Sequence, residues 1–422
     1  MDNKPTQNKT PNNITDVLSK LKKKGDELLS RSREIAYSPE LEKRPREYTA
    51  KQACELIGVS QSLLKSRENT RKIILSEKNE DGSNKFFEPR RVTKGKRTSF
   101  TYNLAEINLI RDHFGKRPSK PKKTNTRIFA VTNFKGGSAK STTSLHLAHG
   151  FALKGYKVLL VDCDSQGSST IMSGLNPDQD LRAAETICNV LLGKTKSIKN
   201  IIRKTNWSGL DLIPANLSLY FAELMVPGQM SDLQSKGQDA RTVYNRLNNA
   251  LNEVRNDYDL IILDTAPSVG IVTTNVLMAC NGLLIPTIPS IVDYASTLQF
   301  MSMITGVLDQ MDKTQIDFLR ILITKNNGKN TAIEMENIIR TAWSSTVLSN
   351  SIMASEAISR AATNMKSLYE VEEILGDRKS YKKALDQVNF VVDEIEIEMK
   401  RKWARQEKAY QAQNNMEELQ KA

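Results

Sequence analysis

The chain has 422 residues, more than one ordinary domain, and carries 61 Lys+Arg against 48 Asp+Glu, so two domains with appendages and a polyanionic partner are expected. The charge excess is confined to residues 1–125, with 29 basic and 16 acidic residues, while the remainder is balanced at 32 of each; a basic domain beside a neutral one points to DNA. Cys54, Cys163, Cys188 and Cys280 are scattered, which argues against a disulfide framework or structural zinc and fits a reducing cytoplasm, and neither a signal peptide nor an apolar run long enough to cross a bilayer is expected.

Residues 1–12 are rich in Asn, Pro and Thr and read as disordered. Ile14, Leu18, Leu21, Leu28 and Ile35 then recur at close to heptad spacing, interrupted by Gly25 and Ser32, so residues 1–45 form a leading segment with one amphipathic helix. Residues 46–117 read as a winged helix-turn-helix domain. Thr49 caps a first helix whose inner face is Ala53, Leu56 and Ile57, Gly58 ends it, and Ser60 caps a second that buries Leu63 and Leu64. The second helix would enter a major groove, with Gln61, Ser62, Lys65 and Arg67 as its exposed candidates. Arg90, Arg91, Lys94, Lys96 and Arg97 flank a Lys-Gly-Lys turn, as phosphate-seeking tips of a hairpin wing would. A short two-helix hairpin of another kind shares the first part of this pattern. Residues 118–125, with Pro118, Pro121 and several lysines, read as an exposed, semi-rigid linker.

An apolar strand, Ile128–Val131, precedes Lys135-Gly136-Gly137-Ser138-Ala139-Lys140-Ser141-Thr142. Phosphate oxygens need inward-pointing backbone N–H groups, which a glycine-rich turn at a helix N-terminus supplies. Lys140 stands where a lysine reaches β- and γ-phosphates, Ser141 where a hydroxyl ligates Mg²⁺, and Thr142 near the α-phosphate. Lys135 and Ala139 occupy two slots usually held by glycine, and alanine is excluded there only if φ is positive. Two more buried-type strands end in carboxylates: Val158–Val161 before Asp162 and Asp164, and Leu260–Leu263 before Asp264. Alone, each aspartate would more commonly cap a helix; three such strand ends in this order favour a phosphate and Mg²⁺ site. Further strands at 282–289 and 319–326, with helical periodicity at 143–153 and 242–254, give the βαβα alternation of a doubly wound, mostly parallel α/β sheet. His146 and His149 read as helix-surface or packing residues. Val388, Val392, Ile395, Met399 and Trp403 share a helical face near the C-terminus, either a membrane-surface anchor or, given Asp393, Glu394, Glu396 and Glu398, a face packed on the body of the sheet domain. The nucleotide domain is placed at 126–403 and a helical tail at 404–422.

The lysine at the start of the loop resembles the deviant Walker A loop of the ParA/MinD/nitrogenase-iron-protein superfamily, in which that residue, here Lys135, reaches across a dimer interface to the partner's nucleotide. The resemblance covers about residues 125–400, and the whole layout is similar to that of large, plasmid-type ParA proteins. It implies ATP as the nucleotide, Mg²⁺, Asp164 orienting the attacking water, Asp162 supporting the Mg²⁺ water shell, Asp264 as the Walker B carboxylate, and Pro289 and Asn326 in the adenine pocket. It further implies a homodimer with an N-terminal dimerisation helix, although a solvated amphipathic helix fits residues 14–35 equally. Slow hydrolysis stimulated by DNA and a ParB-type centromere-binding partner, non-specific binding to nucleoid DNA in the cytoplasm, and operator binding that autorepresses the operon also follow from it. A MinD-like membrane-positioning ATPase and a nucleotide-gated transcription repressor stand as other readings. No cysteines sit in the iron–sulfur pattern of the nitrogenase branch.

Overall fold

The structure, a computed structural model, describes residues 14–36, 43, 45–69, 73–78, 83–94, 97–313, 316–374 and 376–421. The chain divides between Arg44 and Pro45 into two units. In the first, α1 (Ile14–Ala36) runs through Gly25 without a break, with Leu18, Leu21 and Leu28 exposed; the side chains of Ile14 and Ile35 lie outside the described set.

The second unit opens with β1 (Glu47–Thr49) and α2 (Ala50–Ile57). Thr49 and Gln52 form a reciprocal capping box, and Gly58 ends the helix in the left-handed region at φ 75°. Ser60 Oγ then accepts from Leu63 N at 3.2 Å and starts α3 (Gln61–Asn69). Ala53, Cys54, Ile57 and Leu64 form the helical core, but Leu63, expected inside, is 40 % exposed. Successive helical residues lie about 100° apart, so a short helix turns only one of this pair toward α2. β2 (Ile74–Lys78) pairs with β3 (Asn84–Phe86), and β4 (Arg90–Lys94) with β5 (Arg97–Asn103), which also pairs with β1. Then α4 (Leu104–His113) follows, capped by Asn103 and Glu106.

The remaining elements are β6 (Arg127–Val131), α5 (Lys140–Lys154), β7 (Val158–Cys163), α6 (Ser168–Met172), α7 (Ile187–Leu191), β8 (Arg203–Lys204), β9 (Leu210–Ile213), α8 (Leu219–Ser235), α9 (Arg246–Asn252), β10 (Leu260–Thr265), α10 (Ile271–Ala279), β11 (Gly282–Thr287), α11 (Ile291–Gln310), β12 (Phe318–Asn326), α12 (Asn330–Trp343), β13 (Ile352–Met353), α13 (Glu356–Thr363) and α14 (Arg378–Lys421). They build an eight-stranded sheet, β13-β12-β11-β6-β10-β7-β9-β8, parallel throughout except for the edge strand β8. Helices cover both faces, which is why the inner strands read as unbroken apolar runs. Phe129, Val131, Leu160 and Ile262 pack toward α5 and α14, whereas Ala130, Leu159, Val161 and Ile261 belong to the opposite core.

One expectation meets a correction here. By length and composition α11 is apolar enough to cross a bilayer, contrary to the reading of the sequence; in the structure it lies on the sheet through Thr297, Phe300 and Ile304, its first turn capped by Ser290. Residues 118–125, read as an exposed, semi-rigid connection, are tied down in part: Lys120 N donates to Asp259 Oδ1 at 2.7 Å, and Thr124 Oγ1 to Pro121 O at 2.8 Å. At the C-terminus Val388, Val392, Ile395, Met399 and Trp403 are buried, with Trp403 Nε1 donating to Asn125 O at 2.9 Å, and α14 continues unbroken to Lys421.

Arg111, from α4, joins the end of α2 to the sheet domain. Its buried guanidinium donates to Leu56 O at the end of α2 (2.8 and 3.2 Å) and to Leu153 O at the end of α5 (2.9 Å), oriented by Asn108 Oδ1 at 2.8 Å. A cation at two helix C-termini is favourably placed against both dipoles; burial nevertheless pushes its pKa down to about 10, with nearby Arg117 adding to the effect. Gly155 (φ 111°) leaves room for it, since a Cβ there would stand 3.1 Å from Arg111 Nη1. Replacement by leucine strands two carbonyls, so Arg111→Leu should cost about 2–3 kcal/mol in urea denaturation; an unchanged midpoint would show that the bridge contributes nothing. Ala139, where α5 begins, sits at φ 69°, so the loop does make the demand that alanine meets badly. Ala139→Gly should therefore stabilise the protein by up to about 1 kcal/mol in the same assay, and a loss would show that the methyl group packs usefully.

Candidate functional site

β10 lies between β6 and β7, and its register sets Asp264 opposite Val131 on one side and Asp162 on the other. The carboxyl ends of three adjacent parallel strands therefore deliver the 135–142 loop, the 162–168 segment and Asp264 to one place, the usual ligand position in an open α/β sheet. Asn133, which has no motif to mark it, ties the loop down: its Nδ2 donates to Pro286 O (2.7 Å) and Thr297 Oγ1 (3.3 Å), and its Oδ1 accepts from Lys135 N at 3.1 Å. Loop carbonyls are committed elsewhere: Lys135 O accepts from Lys140 Nζ (3.1 Å), Ser138 O from Thr324 Oγ1 (3.1 Å) and Ala139 O from Thr143 N (2.8 Å). The space beside Gly136 and Gly137 is open to 4 Å, and the buried Ser138 hydroxyl has no partner. With α5 starting at Lys140, this is an anion cradle.

The acids lie beneath it. Asp264 is fully buried and accepts from Ser144 Oγ at 3.1 Å and Ser169 Oγ at 2.6 Å. Burial raises its pKa, and the hydroxyls of Ser169, Ser141 and Ser144 oppose the rise. Asp162 is equally buried; its pKa is raised first by burial and then by the charge of Asp264. Both Asp162 oxygens are engaged, one by Asp164 N (3.1 Å), the other by Thr170 N and Thr170 Oγ1 (2.8 Å each). That geometry makes Asp162 a brace between β7 and α6. Asp164 is buried near the surface, with Oδ1 accepting from Gln166 N at 2.9 Å. Burial lowers the pKa of Lys140, while Asp264 and Asp164 pull it back.

Lys135, Gly136, Gly137, Ser138, Ala139, Lys140, Ser141, Thr142, Asp162, Asp164 and Asp264 are thus gathered at the strand ends. Pro289 is buried just beyond β11, and the Asn326 amide is already used, donating to Glu336 Oε2 (2.6 Å) and accepting from Gly328 N (2.8 Å). Sequence reasoning overlooks Asn133, Ser144, Ser169, Thr170 and Thr324; Ser144 alone carries a signal, one helical turn after Ser141 on the same face. The residues of 46–117 expected to contact DNA occupy a different region. Gln61, Ser62 and Lys65 are exposed on α3, Arg67 is half-buried, and Arg91 is exposed on β4. Arg90 is held by Glu47 (2.7 Å) and Glu106 (3.3 Å). Lys94 and Arg97 lie in β4 and β5 with side chains outside the described set, and Lys96 lies outside the described residues. His146 and His149 are packing residues: His146 Nε2 accepts from Leu368 N at 3.2 Å.

Among the described residues no three His, Cys, Asp or Glu side chains form a metal cage. That donor set suits Mg²⁺, which keeps several waters and is held by one or two protein oxygens together with substrate phosphates. Ser141 beside Asp264 fits the requirement.

Comparison with known proteins agrees with this geometry. A family model described as an AAA domain matches residues 126–321. The chain is 32 % identical to a putative replication protein A of Sinorhizobium fredii over 87 % of its length and 90 % of that protein's. It is also 32 % identical to protein SopA of Escherichia coli, covering 79 % and 83 % of the two chains. A ParA family protein of Chlamydia trachomatis is matched along its entire length at 31 % identity, over 64 % of this chain. Among solved structures, one described as a partition protein shares the fold at a TM-score of 0.62, with 19 % identity over 92 % of this chain and 99 % of that one. The three strand ends, the cradle and these relatives together identify the chain as a member of the ParA family of partition ATPases.

Proposed function

We propose that this chain is a nucleotide-switched DNA partition protein that binds ATP with Mg²⁺, hydrolyses it slowly, and works as a homodimer on DNA. The observation that carries the reading is the convergence of Lys140, Ser141, Asp164 and Asp264 under a loop whose carbonyls are turned away. In this reading the N–H groups of residues 136–142 and the Lys140 ammonium take the β- and γ-phosphates, Ser141 and Asp264 hold Mg²⁺ and its waters, and Asp164, fixed by Gln166 N, orients the attacking water. Mg²⁺, when bound, neutralises charge on the transferred phosphoryl group. Pro289 lies on the adenine side. Lys135, half-exposed on the loop's rim, reaches the partner subunit's nucleotide. An apolar face of α8 and the residue leading into it, with Leu217, Tyr220, Phe221, Leu224 and Met225 exposed, supports a surface that a second copy covers.

The helix-turn-helix segment supports DNA binding: α3 offers Gln61, Ser62 and Lys65 to a major groove, and Arg91, Lys94, Lys96 and Arg97 offer cations to phosphates. Arg90, committed to Glu47 and Glu106, serves the hairpin's seating instead. Operator binding and autorepression use this segment, a ParB-type protein stimulates hydrolysis, and the ATP-bound dimer sits on nucleoid DNA in the cytoplasm. One second reading has its own support. Because Arg111 joins α5 to α2, a nucleotide-gated repressor without a segregation role fits as well, and retention of a cargo plasmid in cells with Lys140→Ala separates the two. A MinD-like membrane role draws no support from the C-terminal apolar face, which is packed inward.

Turnover of ATP by the purified protein, with and without non-specific DNA, tests the proposal. Lys140→Ala should abolish nucleotide binding, and Lys135→Ala should keep binding but lose the ATP-dependent dimer in sedimentation. Asp164→Ala should retain ATP while turnover falls about a hundredfold or more; undiminished turnover in that variant sinks the assignment.

A further inference from the structure

Two consecutive residues at the end of β12 reach the same loop. Thr324 Oγ1 donates to Ser138 O at 3.1 Å, and Lys325 Nζ donates to Gly137 O at 2.7 Å. Neighbouring residues of a regular strand point to opposite faces, so something must turn one of them. The cause is visible in the backbone: Lys325 stands at φ 52°, in the left-handed region, and the pairing of β12 with β13 slips between Thr324 and Asn326. A bulge beside a site is a known way to re-aim a side chain, and a strained non-glycine residue persists only where its surroundings impose it. Lysine at such a position is unfavourable for the backbone, and glycine would be the natural occupant.

We propose that Lys325 is a positioning residue for phosphate binding, its ammonium holding the Gly137 carbonyl outward so that the loop's N–H groups face the anion. This rests on the reading of residues 135–142 as the nucleotide cradle. Gly137, at φ 77° with open space where a Cβ would stand, leaves its peptide unit free to flip unless its carbonyl is tied. A flipped peptide turns an oxygen toward the phosphates in place of an N–H. Thr324 fixes the next carbonyl and Lys140 the one at Lys135, so Lys325 completes a set of three outward ties. Its effect is on the free protein's loop, which is preorganisation, and belongs in nucleotide affinity rather than in the chemical step.

The test uses the full-length protein with Mg²⁺ and ATP, measuring nucleotide Kd, the KM and kcat of hydrolysis, and the melting temperature of the nucleotide-free protein. Lys325→Gly should melt at or above the wild-type temperature, because glycine suits the left-handed backbone. The same variant should bind ATP about tenfold more weakly, with KM raised and kcat kept, as loss of one charge-assisted hydrogen bond implies. Stability and affinity moving in opposite directions is a signature that general damage to the fold does not produce. Lys325→Arg, which keeps a cationic donor, should bind to within about threefold of wild type. Wild-type affinity in Lys325→Gly, with binding lost in Lys140→Ala, overturns this inference alone. Wild-type protein that binds no better than Lys140→Ala overturns it together with the reading beneath it.

Discussion

Asp162 and Asp264 share one rung of the sheet, both out of water, and two anions so placed raise each other's proton affinity beyond what burial alone does. The surroundings answer with donors rather than with a paired cation for each acid. Ser144 and Ser169 serve Asp264; Thr170 and the Asp164 amide serve Asp162. Lys140, whose pKa burial lowers and Asp264 and Asp164 pull back up, supplies a positive charge beside them. Because these groups sit on α5, α6, β7 and β10, the electrostatic balance of two buried acids also fixes how four elements meet.

Much of this is legible in the sequence because buried parallel strands leave a coarse mark. Unbroken apolar runs at 128–131, 158–161 and 260–263, each released into polar or glycine-rich residues, can only place those residues at strand ends. The capping pattern around Thr49, Gly58 and Ser60 is equally local and survives intact. What sequence hides is conformational or long-range. That an alanine stands in a glycine slot is plain, but the positive φ at Ala139 is a property of the folded loop. Asn133 matters because Pro286 and Thr297, more than 150 residues away in sequence, stand beside it. Lys325 matters because of a bulge that no periodicity announces. Asp162 and Asp264 look alike as strand-end aspartates, and only the folded chain shows that Thr170 holds the first while Ser144 and Ser169 hold the second.

The pinned connection at 118–125 changes what α5 can do. A helix of its length spans about 22 Å, with the cradle at its first residue and, at its last, the carbonyls of Leu153 and Gly155 receiving Arg111 and Arg117. Along its flank, Gly150 brings α14 so near that a Cβ there would stand 2.8 Å from Val392 Cγ2, and Lys154 pairs with Asp393 and Glu396 at 2.6 and 2.7 Å. A free linker would absorb a shift of α5 as slack. Here the core built by α2, α3 and α4 is continuous with the α5–α14 core, and close-packed interiors transmit displacement instead of damping it. The phosphate end of α5 is thus linked through one packed core both to α14 and to the two carbonyls that Arg111 holds. Only the second lies beside the end of α2.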